Sequence, residues 1–326
     1  MLKLHDIQPS SVDSDIRIFL KAQLAEIAEN RSDCSFGEDW PGPYKIDIIC
    51  KKAAGFFIYA STVVKFISSP HYPPDERLSL IVSNQDILLG IDPLYTRVLK
   101  QAFYDVEVHD HNPYSHFKSV VGAIVHLFHP LSINTISDLL GNCGTPSRIS
   151  TSLRTLHSVL LVPDKKEDPV KIFHKSFPDF LTDPQRCTDN QFFIDPSIHH
   201  KEILLSCLNV MKERLKRNIC KLDENTVLGD MEDLSKLRAT NIGSTLEYAC
   251  QFWSNHLVKI SDASGGVEEV HEAIDSFFAT GFLFWVEVLI LARNLNICVY
   301  ALNNIEQWYT LVSYVKLLPK PTLISV

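Results

Sequence analysis

Most of the signatures that announce a chemistry are missing from this chain. No G-x-x-x-x-G-K-[ST] occurs in its 326 residues, so a phosphate-binding loop of that kind is absent from them. No G-x-S-x-G marks a nucleophile elbow, and no Cys/His arrangement singles out a catalytic thiol. Catalysis is therefore not expected. The eight cysteines (Cys34, Cys50, Cys143, Cys187, Cys207, Cys220, Cys250, Cys298) form no C-x-x-C pair and are irregularly spaced. That excludes a zinc-ribbon pattern and argues against a disulfide-stapled secreted domain, leaving free, mostly buried thiols in a reducing compartment. The start, MLKLHDIQPSSVDSD, has no basic segment followed by an apolar run, so no signal peptide is expected. The most apolar stretch, GFLFWVEVLILA (281–292), is short for a bilayer and carries Glu287 at its middle, which predicts a core helix and no membrane partner. An excess of positive charge is missing too. The 31 Lys and Arg against 39 Asp and Glu give a net charge of −8, so a nucleic acid meets repulsion unless a local basic patch intervenes. There is no internal repeat of fixed period and no low-complexity tract. The expectation is a soluble, cytoplasmic protein.

What is present is helical periodicity. Hydrophobic residues make up 45% of the chain and charged residues 21%, enough for a buried core spread over two or three domains. Ile16, Phe19, Leu20, Leu24 and Ile27 recur at three and four and predict a helix over Asp15–Asn30. After the Pro/Gly-rich loop 34–44, Ile46–Ile67 is apolar nearly all round and predicts one helix buried on several sides. Prolines 70, 73 and 74 end it, and two further helices are expected before Asp105. The polar stretch DVEVHDHNPYSH (105–116) reads as a domain boundary.

Phe117–Phe128 reads as the next helix. Ser132 caps Ile133–Leu140, which Gly141 terminates. Thr145 and Pro146 open a third helix that runs to about His157. SVLLVP (158–163), a charged tip (164–169) and VKIFH (170–174) then form two short strands. Three helices and a two-stranded ribbon make a winged helix. Past Pro184 the pattern is helical again. Leu204, Leu208, Met211, Leu215 and Ile219 form one stripe, with the basic residues of KERLKRNICK (212–221) on the solvated side. Further helices are expected at Leu246–Leu257, Val267–Ala279, Phe282–Leu295 and Cys298–Leu318. Trp253, Phe277, Phe278, Trp285 and Trp308 are predicted core. The fold class is therefore mainly α: a helical bundle (1–109), a central winged-helix domain with a small β-ribbon (110–183) and a C-terminal helical array (184–326).

Several stretches, taken in order, resemble fungal NACHT-type signalling ATPases in the region that follows the ATPase core. They are AAGFFIYASTVVKFI (53–67), DPLYTRVLKQAF (92–103), VVGAIVHLFHPLSINTISDLLG (120–141), LRTLHSVLLVP (153–163), IFHKSFPDFLTDPQRC (172–187), HHKEILLSCLNVMKERLKRNICKL (199–222), LEYACQFWSNHL (246–257) and FLFWVEVLILARNL (282–295). The resemblance implies a nucleotide-gated oligomerisation switch. Its phosphate loop, partner acidic strand and WD-type propeller repeats are not found in these residues. The chain then corresponds to a regulatory region that packs against an ATPase core and a downstream sensor, with ADP or ATP relevant only when such a core is joined to it, and with a homo-oligomer as a further possible partner. A second reading is a stand-alone helical adaptor for a partner protein. A winged-helix nucleic-acid binder is the third, disfavoured because the third helix offers only Arg148 and Arg154 and the tip sets Lys165 and Lys166 against Asp164, Glu167 and Asp168.

His174 and Ser176 are the candidate nucleotide-sensing residues. Ser176 reads as a helix cap, with Asp179 closing a capping box, and the resemblance places a histidine such as His174 against the β-phosphate of bound ADP. Its alternative is a plain bond to a nearby carbonyl. His109, Asp110, His111 and His116 suggest a metal site only superficially, since no further ligands are placed to complete four-coordination. The pairs His126/His129 and His199/His200 read as packing or surface positions.

Overall fold

Proline sets where many of the helices begin. Pro9, Pro43, Pro74, Pro113, Pro146 and Pro196 each stand first in a helix, a position where the missing N–H costs nothing and the fixed φ already suits the turn. The structure is a computed structural model that describes residues 9–70, 72–83, 90–104, 113–141, 144–223, 233–261 and 266–317. Among these are fifteen helices and one two-stranded ribbon, so the chain is mainly α. They cluster into two units. Residues up to 117, 150–163 and 170–193 belong to the first, and 118–149, 164–169 and 194 onward to the second.

In the first unit α1 (Pro9–Asn30), α2 (Pro43–Ala53), α3 (Phe57–Ile67), α4 (Pro74–Val82) and α5 (Ile91–Tyr104) share a core. Ile16, Leu20 and Leu24 of α1, Ile49 of α2 and Phe66 of α3 are fully or almost fully buried. The single helix expected over 46–67 is two helices. Ala54 (φ 48°) and Gly55 (φ 79°) adopt left-handed backbone between them, which ends α2 and restarts the chain in a new direction. The break also turns Phe56 and Phe57 outward, 60% and 45% exposed, so this stretch is not buried all round. Lys52 has its ammonium buried against the Ile81 carbonyl at 2.7 Å, and Arg77 stacks on Phe66 and Tyr72 at 4.2 and 4.0 Å. The same unit holds the ribbon. β1 (Leu160–Leu161) pairs antiparallel with β2 (Lys171–Ile172), Leu160 opposite Ile172, and Phe173 N–H donates to the Val159 carbonyl at 3.0 Å to extend it. The six-residue α9 (Ser176–Leu181) follows.

The predicted helix–helix–helix–strand–strand order is present as α6 (Pro113–His126), α7 (Ile133–Leu140), α8 (Pro146–Arg154), β1 and β2. Ser132 caps α7 as expected, its hydroxyl accepting Thr135 N–H at 3.1 Å.

In the second unit α10 (Pro196–Arg214) packs along α12 (Gly243–Leu257), with α13 (Val267–Thr280) against α10 and α15 (Asn296–Leu317) against α12. α11 (Leu234–Asn241) and α14 (Phe282–Leu291) complete the described helices. Trp253, Trp285 and Trp308 are buried, and the Trp285 indole N–H donates to the Cys250 carbonyl at 2.8 Å. Phe278, expected in the core, is 37% exposed. α10 is shorter than its apolar stripe suggests: Leu215 is already extended, and Asn218 and Lys221 have positive φ. Glu287 of α14 holds that reversal, accepting the N–H groups of Asn218 and Ile219 at 3.0 and 3.1 Å. Lys212, Lys216, Arg217 and Lys221 are exposed as expected. α13 and α14 meet at 73°, and no single helix among the described residues is long and apolar enough to cross a membrane. Seven of the cysteines are described and none of these forms a disulfide; Cys50, Cys187, Cys207, Cys220 and Cys250 are buried.

Candidate functional site

The ribbon delivers His174 to the start of α9. Lys65 holds this end of the ribbon by placing its ammonium 4.6 Å from the centre of the Phe173 ring. The Lys65 carbonyl also binds His157 Nε2 at 2.8 Å. Beyond it, Phe177 and Phe180 are driven inward by α9's helical spacing and are 1% exposed. Both rings meet Tyr95 of α5, edge-on at 5.2 Å and tilted at 5.5 Å. That apolar clamp fixes α9 on α5 and brings the Tyr95 hydroxyl 2.7 Å from Ser176 Oγ. Ser176 Oγ in turn lies 2.8 Å from His174 Nδ1, and Ser176 N–H donates to the same nitrogen at 3.2 Å.

This row of contacts fixes a tautomer. A ring nitrogen that accepts a backbone N–H carries no proton, so the neutral imidazole is protonated at Nε2. The His174 ring is half-buried, and among the described residues no protein group engages Nε2. It is an oriented donor. Tyr95 cannot readily ionise to disturb the row: burial pushes its phenol up, against the lesser opposing pull of the Ser176 contact. Nearby, Arg186 grips Asp92 with two bonds, Nε to Oδ2 at 3.0 Å and Nη2 to Oδ1 at 2.6 Å. The pair ties the segment after α9 to the first turn of α5, where a carboxylate is favoured by the unpaired N–H groups.

One expectation changes. Ser176 is the first residue of α9 rather than its cap; Lys175 precedes the helix and no side chain caps it. The capping box with Asp179 does not form, because the Ser176 hydroxyl is committed to His174 and Tyr95. Ser176 therefore positions the imidazole.

A second constellation, in the other unit, gave no sign of itself in the sequence. His126, His199, His200 and His256 come together from α6, α10 and α12. His200 Nδ1 and His256 Nδ1 are 2.8 Å apart, and His256 Nε2 is 2.8 Å from the Tyr248 hydroxyl. The His126 ring sits edge-on to His200 at 4.8 Å and stacks on His199 at 5.9 Å. His199, His200 and His256 are buried. Burial pushes His200 down to about 3 and His256 to about 2, each further lowered by neighbouring imidazoles. Their i,i+1 and i,i+3 spacings gave no signal, since the partner His256 lies 56 residues beyond His200 in sequence. His129 is exposed. Among the described residues no group of three or more His, Cys, Asp or Glu side chains, the histidine cluster included, is arranged to hold a metal ion; His109, Asp110 and His111 of the suspected loop lie outside them.

No protein-family model matches the chain, and no solved structure matches it. It is similar to the vegetative incompatibility protein HET-E-1 of Podospora anserina, at 22% identity over 322 residues. The match covers 92% of this chain and 22% of that protein's length. The chain thus spans about a fifth of its relative, and the similarity is consistent with a NACHT-related family.

Proposed function

We propose that this chain is a non-catalytic regulatory region of a NACHT-type nucleotide-dependent signalling switch, working in the cytoplasm between an ATPase core and a downstream sensor. Its likeness over nearly its whole length to a fungal vegetative incompatibility protein supports a signalling role. The observation that carries the reading is the row from Tyr95 through Ser176 to His174. It holds a neutral imidazole with Nε2–H turned away from its own protein partners, the donor that a phosphate oxygen supplied by another domain would accept. Losing that bond would favour the open, oligomeric form.

The reading is tested in a polypeptide that joins this region to its ATPase core. With ADP bound, light scattering should find the wild type in its smallest state and His174→Ala shifted to larger assemblies. An unchanged assembly size in the variant contradicts the assignment.

A further inference from the structure

Hydrogen-bond direction can be worked out along the buried histidine row, and the result bears on acid. The Phe128 N–H donates to the Tyr248 hydroxyl oxygen at 3.3 Å. The phenol proton is then directed at His256 Nε2, 2.8 Å away, which makes that nitrogen the acceptor. A neutral His256 carries its proton on Nδ1 and donates it to His200 Nδ1, leaving His200 protonated at Nε2. His126 is fixed as well: its Nδ1 lies 2.7 Å from the Gly122 carbonyl, which only accepts. The two bonds that His256 makes, to Tyr248 and to His200, are the ones that neutral rings complete. A proton added to His256 Nε2 would face the Tyr248 hydroxyl proton, and one added to His200 Nδ1 would face the His256 N–H. Either leaves a buried donor without an acceptor, besides the cost of the buried charge itself.

The charges facing these rings give no relief. His126 on α6, the sequence neighbour His199 on α10 and Lys259 just past α12 all disfavour a proton on His200, while His200 and His126 disfavour one on His256. Asp195, at the start of α10, acts on His126 only weakly. The carboxylate of Glu202 pairs with His199 at 3.1 Å rather than with the inner rings. On the outer helices, Glu269 of α13 lies 3.9 Å from Lys201 and Asp138 of α7 binds Arg214. His199 and Glu202 also line a cleft of about 290 Å³ with Ser119, Ala123 and Ile203. His199, which stacks on His126, is the member of the cluster at that cleft.

We propose that the His200–His256 pair, with His126 packed against it, is an acid-sensitive latch between α10 and α12, closed by hydrogen bonds that only neutral imidazoles complete and released as the opened rings take up protons. The trigger is protonation of the opened state, where the rings regain ordinary histidine behaviour near pH 6.5. Each histidine that charges only on opening raises the opened fraction by up to about tenfold per pH unit below that value. Two such rings give up to about a hundredfold.

Hydrogen–deuterium exchange on the full chain, corrected for the intrinsic pH dependence of exchange, tests this between pH 7 and 5. The amides of α10 and α12 should lose protection steeply as pH falls. Asn places an acceptor near the Nδ1 position without titrating, so His200→Asn with His256→Asn should flatten that slope, whereas His129→Asn at the exposed site should not. Equal slopes in wild type and double variant would overturn the latch. ¹⁵N NMR of the unsubstituted protein gives an independent readout should the double variant fail to fold. Neutral rings at pH 6, with the proton on Nδ1 of His256 and Nε2 of His200, support the proposal, and a charged ring or the reverse tautomers at either site refute it.

Discussion

Removing one oxygen from Ser176 should disturb more than Ser176. The hydroxyl serves both the Tyr95 phenol, in a residue only 1% exposed, and the His174 ring. Ser176→Ala leaves the phenol without its partner, and a buried unsatisfied hydroxyl costs about 1–3 kcal/mol. Urea unfolding should show that loss, and adding Tyr95→Phe should recover part of it, so the two substitutions will not be additive. The histidine row has its own stability signature. His200 and His256 have folded values near 3 and 2, well below the ordinary histidine value. The unfolded chain therefore binds protons that the native chain refuses as pH falls below about 6.5. Stability rises with pH through that window and is lost on acidification by up to about 1.4 kcal/mol per pH unit per histidine. Denaturation midpoints at pH 7 and 5, with and without His256→Asn, measure it. An equal drop in both proteins would deny His256 any part. That cluster was illegible in the sequence because its members lie on three helices; His174 was legible because one short segment holds the ribbon, the ring and Ser176 together.

Among the elements, apolar spacing predicted where helices lie but not where they stop. Ala53, Ala54 and Gly55 fit the periodic run that continues into Phe57, so two helices read as one. The left-handed turn at Gly55 favours a residue without a side chain. A Cβ there would meet nothing within 4 Å, so Gly55→Ala should cost only the conformational penalty, about 1–2 kcal/mol, visible as a lower melting temperature. The overrun of α10 has another cause. Leu215 and Ile219 keep the helical stripe, yet Glu287, 68 residues after Ile219, holds the backbone in a reversal. Glu287→Gln weakens two charge-assisted bonds, and exchange protection at Asn218 and Ile219 should fall while the centre of α12 stays protected. The short ribbon was predicted from two β-type runs around a charged tip, and it forms as an antiparallel pair with Leu161 opposite Lys171.

At the scale of the molecule, order along the chain carried the reading further than any one motif. The succession of helical segments is present in the structure, and the likeness to HET-E-1 runs over 322 residues, while a net charge of −8 leaves any polyanion dependent on a local basic patch. The proposed role needs His174 to act on a phosphate that another domain brings. Isothermal titration of ADP into the region joined to its ATPase core, comparing wild type, His174→Gln and His174→Ala, tests that most directly. A hydrogen bond to a charged group contributes about 1.5–3 kcal/mol. Affinity should therefore fall roughly tenfold or more in His174→Ala, and His174→Gln, which keeps a donor near Nε2, should restore much of it. Identical ADP affinities in all three proteins would contradict the account.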